Sequence, residues 1–74
     1  MVDKRILDVS KNIRILRKKK GYMQTELAER IGASPASVYN WEKGRVEPKI
    51  SNLYAMAEVL DADITDFFKW RGDE

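Results

Sequence analysis

The stretch that decides the fold is residues 24 to 44, QTELAERIGASPASVYNWEKG. Leu27, Ala28 and Ile31 recur at one, three and four residues, the stripe of a helix buried on one side, which predicts a helix over about 24–31. Gly32 ends it, because glycine takes the left-handed conformation that a sharp helix end requires. Ser34 then offers a hydroxyl cap, and Pro35 falls at the first helical position, where its missing N–H costs nothing. These signals predict a second helix over about 35–43. Its Val38 and Trp41 face inward, leaving Pro35, Ala36, Ser37, Tyr39, Asn40 and Lys43 on other faces. The outward surface is small and polar, and Trp41 reads as core rather than as a stacking platform because it shares a face with Val38.

Two short helices joined by a glycine-led turn, with Gln24, Leu27-Ala28, Ile31-Gly32, Ser37-Val38, Trp41-Glu42 and Gly44, resemble the helix-turn-helix of the phage-repressor and Cro-like family. This family is also called the xenobiotic-response-element type. Leu16-Arg17 upstream and Pro48, Leu53, Ala57 and Leu60 downstream extend the resemblance over roughly residues 9 to 69. It implies an all-α fold, a compact five-helix bundle of the lambda-repressor-like DNA-binding domain type, formed by residues 1–74 as a single domain with 70–74 as a flexible tail.

The resemblance also assigns roles. Arg17 is expected to form an at least partly buried ion pair with Glu42, tying the first helix to the recognition helix. Pro35, Ala36, Ser37 and Asn40 fall on the base-reading positions, with Tyr39 able to reach bases or backbone. Asn40 carries the amide that bonds adenine N6 and N7 together, Ser37 suits several bases, and Ala36 and Pro35 suit a thymine methyl. Gln24, Ser34, Lys43, Arg45 and Lys49 form the expected set of backbone contacts, with Glu47 opposing their field. Related phage repressors often carry glutamines where this chain has Pro35 and Ala36, so their operator preferences do not transfer. Direct readout is therefore expected to be thin, to lean toward A·T steps, and to leave much specificity to DNA shape.

Composition narrows the alternatives. The chain has 74 residues, 43% apolar and 35% charged, an ordinary globular balance for one small domain. It has neither Cys nor His, which removes disulfides, thiolate chemistry and the commonest general base. No enzyme, cofactor or metal site is expected. No apolar run is long enough to cross a bilayer and no signal-peptide pattern opens the chain, so a cytoplasmic protein is the expectation. Charge is unevenly spread: residues 1–20 carry +6, residues 21–49 are balanced, and residues 50–74 carry −4. The basic end suits anions.

Ile6, Val9, Ile13 and Leu16 predict a first helix ending at Lys20, before Gly21. Lys18, Lys19 and Lys20 in its last turn suit the helix dipole and add long-range attraction to phosphate. Met23 stands where the family has a Ser or Thr cap. A thioether cannot serve there, and the loss is about 1 kcal/mol unless Gln24 or Thr25 takes over. Gln24, with the free N–H groups of a helix start, suits a phosphate oxygen.

Ile50, Leu53, Met56 or Ala57, and Leu60 predict a fourth helix closing the core. Asp63 can cap a fifth, from Ile64 to about Trp70. Asp61, Asp63 and Asp66 lack the calcium-loop pattern and read as caps and solvated charges. Phe67 and Ile64 can face the core, but Phe68 and Trp70 cannot both join them. These two aromatics are the expected homodimer interface, as two-fold reading of a palindromic operator requires. The reading is a sequence-specific, double-stranded DNA-binding transcriptional regulator. The alternative is an antitoxin-like or adaptor module that uses the same fold to hold a protein partner, with DNA binding secondary.

Overall fold

The computed structural model describes residues 4–70, with the side chains of Lys4, Ile6 and Leu7 outside the described set. Ile6 on the first helix's apolar stripe, and the expected tail beyond Trp70, therefore lie outside the described residues. Four α-helices follow one another: α1 Lys4–Lys20, α2 Gln24–Ile31, α3 Pro35–Glu42 and α4 Ile50–Val59, closed by a 3-10 turn over Ile64–Phe68. The chain spans 29 × 21 × 20 Å.

The core is assembled from one stripe of each element. Val9, Ile13 and Leu16 come from α1, Leu27 and Ala28 from α2, and Val38 and Trp41 from α3. Leu53, Met56 and Ala57 come from α4, with Leu60 just beyond it and Phe67 from the closing turn. Ile31 packs against this cluster from its edge. At roughly 25 cal/mol per Å² of apolar surface removed from water, these side chains supply most of the driving force for so short a chain. α2 packs on α3 and on α4, while α1 packs on α3 and on the closing turn. The helix-turn-helix pair is thus held from both sides.

Each helix ends in the same way. An N–H just past the helix bonds back to a carbonyl five residues earlier: Tyr22 to Arg17 at 3.1 Å, Ala33 to Ala28 at 2.9 Å, Arg45 to Asn40 at 3.0 Å and Ala62 to Ala57 at 2.9 Å. Each closure needs a left-handed residue just before that N–H. Three are glycines, but α4 uses Asp61 at φ 52°. The sequence reading takes Asp61 only as a cap or solvated charge. Its side chain bonds the Lys20 ammonium from α1, so this strained position also ties two helix ends together.

Two expectations are corrected. Ile50 is not core: it is 59% exposed at the first position of α4, because the core stripe begins one turn later at Leu53. The fifth helix is a five-residue 3-10 turn, so the bundle has four α-helices rather than five. Asp63 caps the turn as expected, accepting from the Thr65 N–H, while Asp66 accepts from the Asp63 N–H. Its far end meets Asn12 of α1, fully buried, whose amide donates to the carbonyls of Phe67 at 2.9 Å and Lys69 at 2.7 Å. Lys69 is extended (φ −71°, ψ 136°), which ends the helical backbone there, and the Asn12 amide satisfies the carbonyls left at that end.

Candidate nucleic-acid interface

α3 begins at Ser34, whose Oγ accepts from the Ser37 N–H at 3.1 Å with Pro35 behind it. The two hydroxyls of Ser34 and Ser37 also bond each other at 2.9 Å. Ser37 is thus half-buried and already engaged at the helix start. Pro35 and Ala36 are exposed there, Tyr39 is 41% exposed one turn on, and Asn40 is half-buried. Positions 36, 39, 40 and 43 share one side of a helix, opposite Val38 and Trp41. The amide of Asn40 makes no hydrogen bond to another described residue. Its donor and acceptor pair remains available to a base edge.

The other side of α3 is anchored by charge. Arg17 donates from Nε to Glu42 Oε2 at 2.6 Å and from Nη2 to Oε1 at 2.9 Å, with the two side chains 10% and 5% exposed. This is the ion pair expected between Arg17 and Glu42, and it joins α1 to α3. Its third donor, Nη1, holds the Tyr22 carbonyl at 2.8 Å. Gln24 adds a bond from Nε2 to Glu42 Oε1 at 3.1 Å. One carboxylate therefore fixes α1, the start of α2 and the end of α3.

Two details at the start of α2 escape the sequence reading. Gln24 is half-buried and turned partly inward to Glu42, leaving one amide N–H for an outside partner. The thioether of Met23 offers no cap oxygen, but neither Gln24 nor Thr25 replaces it; Glu26 instead accepts from the Met23 N–H at 2.9 Å. A carboxylate three residues past the cap is the other half of a capping box, and that spacing is the signal that could have revealed it. Asn12 could likewise have been flagged as a polar residue on the apolar stripe of α1.

Lys43, Arg45 and Lys49 are exposed at the far end of α3 and in the loop to α4. Lys43 Nζ and Arg45 Cζ lie 5.6 Å and 5.7 Å from the centroid of the Tyr39 ring. Three of the acidic residues of the C-terminal third are turned to internal work: Asp61 pairs with Lys20, Asp63 caps, and Asp66 pairs with Lys69 at 2.7 Å. Phe68 and Trp70 are 54% and 70% exposed, Phe68 at the end of the turn that packs on α1 and α4 and Trp70 two residues beyond it.

The family model described as a helix-turn-helix matches residues 13–67, from the buried stripe of α1 through the closing turn. The chain belongs to this helix-turn-helix family. It is 36% identical over 62 residues to an HTH-type transcriptional regulator of Archaeoglobus fulgidus, covering 84% of this chain and 89% of that one. Among solved structures, it superposes on the restriction-modification controller protein C.AhdI from Aeromonas hydrophila with a TM-score of 0.83. The identity is 26%, covering 89% of this chain and all of that one. The P22 c2 repressor, solved in complex with a synthetic operator, gives a TM-score of 0.76 at 30% identity, covering 82% and 92% of the two chains. No helix among the described residues is long and apolar enough to cross a membrane.

Proposed function

We propose that this helix-turn-helix transcriptional regulator occupies a palindromic duplex operator as a homodimer, each protomer setting the first turns of α3 into the major groove. The observation that carries this reading is the combination of a small, outward α3 face with an anchored back: Ala36, Tyr39 and Asn40 outside, Glu42 held by Arg17 and Gln24 within. A reading helix must be held rigidly if its side chains are to report base identity rather than follow the groove. The likeness to the P22 c2 repressor, whose structure contains an operator, supports the same reading.

In this reading Asn40 bonds an adenine edge, and Ser37 contributes a contact once its hydroxyl turns from Ser34. Pro35 and Ala36 meet thymine methyls. Gln24, with the N–H not given to Glu42, joins Ser34, Lys43, Arg45 and Lys49 on the sugar-phosphate backbone. Phe68 and Trp70 supply the two-fold contact. Regulation follows from occupancy of the operator, in the cytoplasm beside the DNA.

The test is selection of sites from random duplex DNA, followed by salt-dependent binding of the winner to the unaltered chain and to a Ser37→Ala/Asn40→Ala variant. An enriched palindrome with half-sites about one turn apart, lost in the variant at unchanged salt slope, is the expected outcome. A selection that enriches nothing sinks the reading.

A further inference from the structure

Tyr39 stands on the outward face of α3, where position alone suggests that it reads a base. Its surroundings say otherwise. Lys43, one helical turn along, places its ammonium 5.6 Å from the ring centroid. Arg45, two residues further, would point away from Tyr39 if α3 continued. It does not continue: Gly44 takes φ 73°, its N–H bonds the Trp41 carbonyl at 3.1 Å, and the Arg45 N–H returns to the Asn40 carbonyl at 3.0 Å. This reversal brings the Arg45 guanidinium to 5.7 Å from the same ring.

Two cations gathered on one ring repel each other, and no carboxylate among the described residues pairs with either. Glu42, next to Lys43, is occupied by Arg17 and Gln24, and Glu47, two residues past Arg45, forms no ion pair with either cation among the described residues. The negative face of the phenol ring is what draws both cations in, since attraction to an aromatic quadrupole operates within about 6 Å of the centroid. Two cations ordered against one ring, with no acid paired to either, are available to an anion of concentrated charge. On a recognition helix, that anion is a DNA phosphate.

We propose that Tyr39 is a positioning residue whose ring holds Lys43 and Arg45 as one preorganised phosphate clamp, rather than a residue that reads a base. This rests on the DNA-binding reading above. Lys and Arg side chains lose substantial rotamer freedom when they close on a ligand, and a ring that orders them beforehand removes part of that cost on every sequence. The aromatic ring is required for this work and the hydroxyl is not.

The experiment compares Tyr39→Phe, Tyr39→Leu and the Lys43→Ala/Arg45→Ala pair on the selected operator and on an unrelated duplex, across a range of salt. Tyr39→Phe stays within about twofold of the unaltered chain on both DNAs, because it keeps the ring. Tyr39→Leu weakens binding about fivefold on both, at nearly unchanged salt slope, because the charges remain but their ordering is lost. The cation pair variant lowers the slope by about two units instead.

In the free protein, the side-chain proton resonances of Lys43 and Arg45 lose their ring-current shifts in Tyr39→Leu and keep them in Tyr39→Phe. Two results overturn the proposal: Tyr39→Leu binding as tightly as the unaltered chain, or Tyr39→Phe losing affinity on the operator alone, which assigns the hydroxyl to a base. Failure of the broader reading looks different. An unaltered chain that binds no duplex at low salt removes both, whereas loss of sequence preference alone leaves the clamp measurable on the unrelated duplex.

Discussion

Arg17 and Glu42, twenty-five residues apart, meet side-on through two hydrogen bonds of 2.6 Å and 2.9 Å, from Nε and Nη2, in a nearly solvent-free seam between α1 and α3. The fork geometry of the guanidinium matches a carboxylate in a way a lysine ammonium does not. Gln24 and the Tyr22 carbonyl use the remaining capacity of the pair, so both charges are satisfied on burial.

Truncating either partner strands the other charge. Glu42→Ala and Arg17→Ala should each cost about 3 kcal/mol of stability, and the double variant should cost less than their sum. Urea unfolding of the four proteins measures this. Strict additivity would show that the two side chains do not act as a pair.

Asn12 is the peg of the C-terminal segment. Asn12→Ala leaves the Phe67 carbonyl buried without its donor, and should lower stability by about 2 kcal/mol. Amide exchange localises the effect: the N–H groups from Asp66 to Trp70 should lose protection first. Exchange unchanged there would remove the peg role.

Asp61 carries a left-handed backbone and an ion pair, and the two can be separated. Asp61→Asn keeps the tolerance for φ 52° and should lose only the small contribution of an exposed ion pair, whereas Asp61→Ala should cost about 1 kcal/mol more through the backbone alone. The ammonium of Lys20 is held above its ordinary pKa by its hydrogen bond to Asp61 and by that carboxylate's charge. With a raised folded value, the pair's contribution is complete at neutral pH and is lost as pH rises through that value. In Asp61→Asn, NMR titration should find Lys20 back near its ordinary value.

Base reading and backbone positioning leave different signatures on DNA. Asn40→Ala should weaken operator binding by about 1–3 kcal/mol with no change in salt slope and little change on unrelated duplex. Lys49→Ala should weaken both alike and lower the slope by about one unit. Titrations at four salt concentrations separate the two. An Asn40→Ala loss of equal size on every sequence would reassign that residue to the backbone.

If Phe68 and Trp70 form the two-fold contact, Phe68→Ser/Trp70→Ser should sediment as a monomer at concentrations where the unaltered chain is a dimer. Both side chains lie outside the core, so the variant should keep its helical spectrum. A monomeric unaltered chain at high concentration would remove the interface.

Local chemistry made the helix-turn-helix legible in advance. The apolar pairs Leu27-Ala28 and Val38-Trp41 repeat with the helical period, Gly32 permits only a sharp stop, and Ser34-Pro35 only a start. Each of these is decided within a few residues, so the elements carrying the candidate site were readable from the chain alone. The Arg17–Glu42 pair was legible through the family pattern, not through spacing.

Tertiary structure alone decided the rest, because those features join residues far apart in sequence. Asn12 reaches Phe67 and Lys69 across more than fifty positions and holds the end of a short 3-10 turn where a fifth helix was expected. Gln24 shares its amide with Glu42, and Arg45 returns to Tyr39 only because Gly44 reverses the backbone. Ile50 has the right period for the core but falls where no neighbouring helix covers it. Periodicity states which face of an element is apolar; only packing determines what that face meets and where the polar groups between elements find their partners.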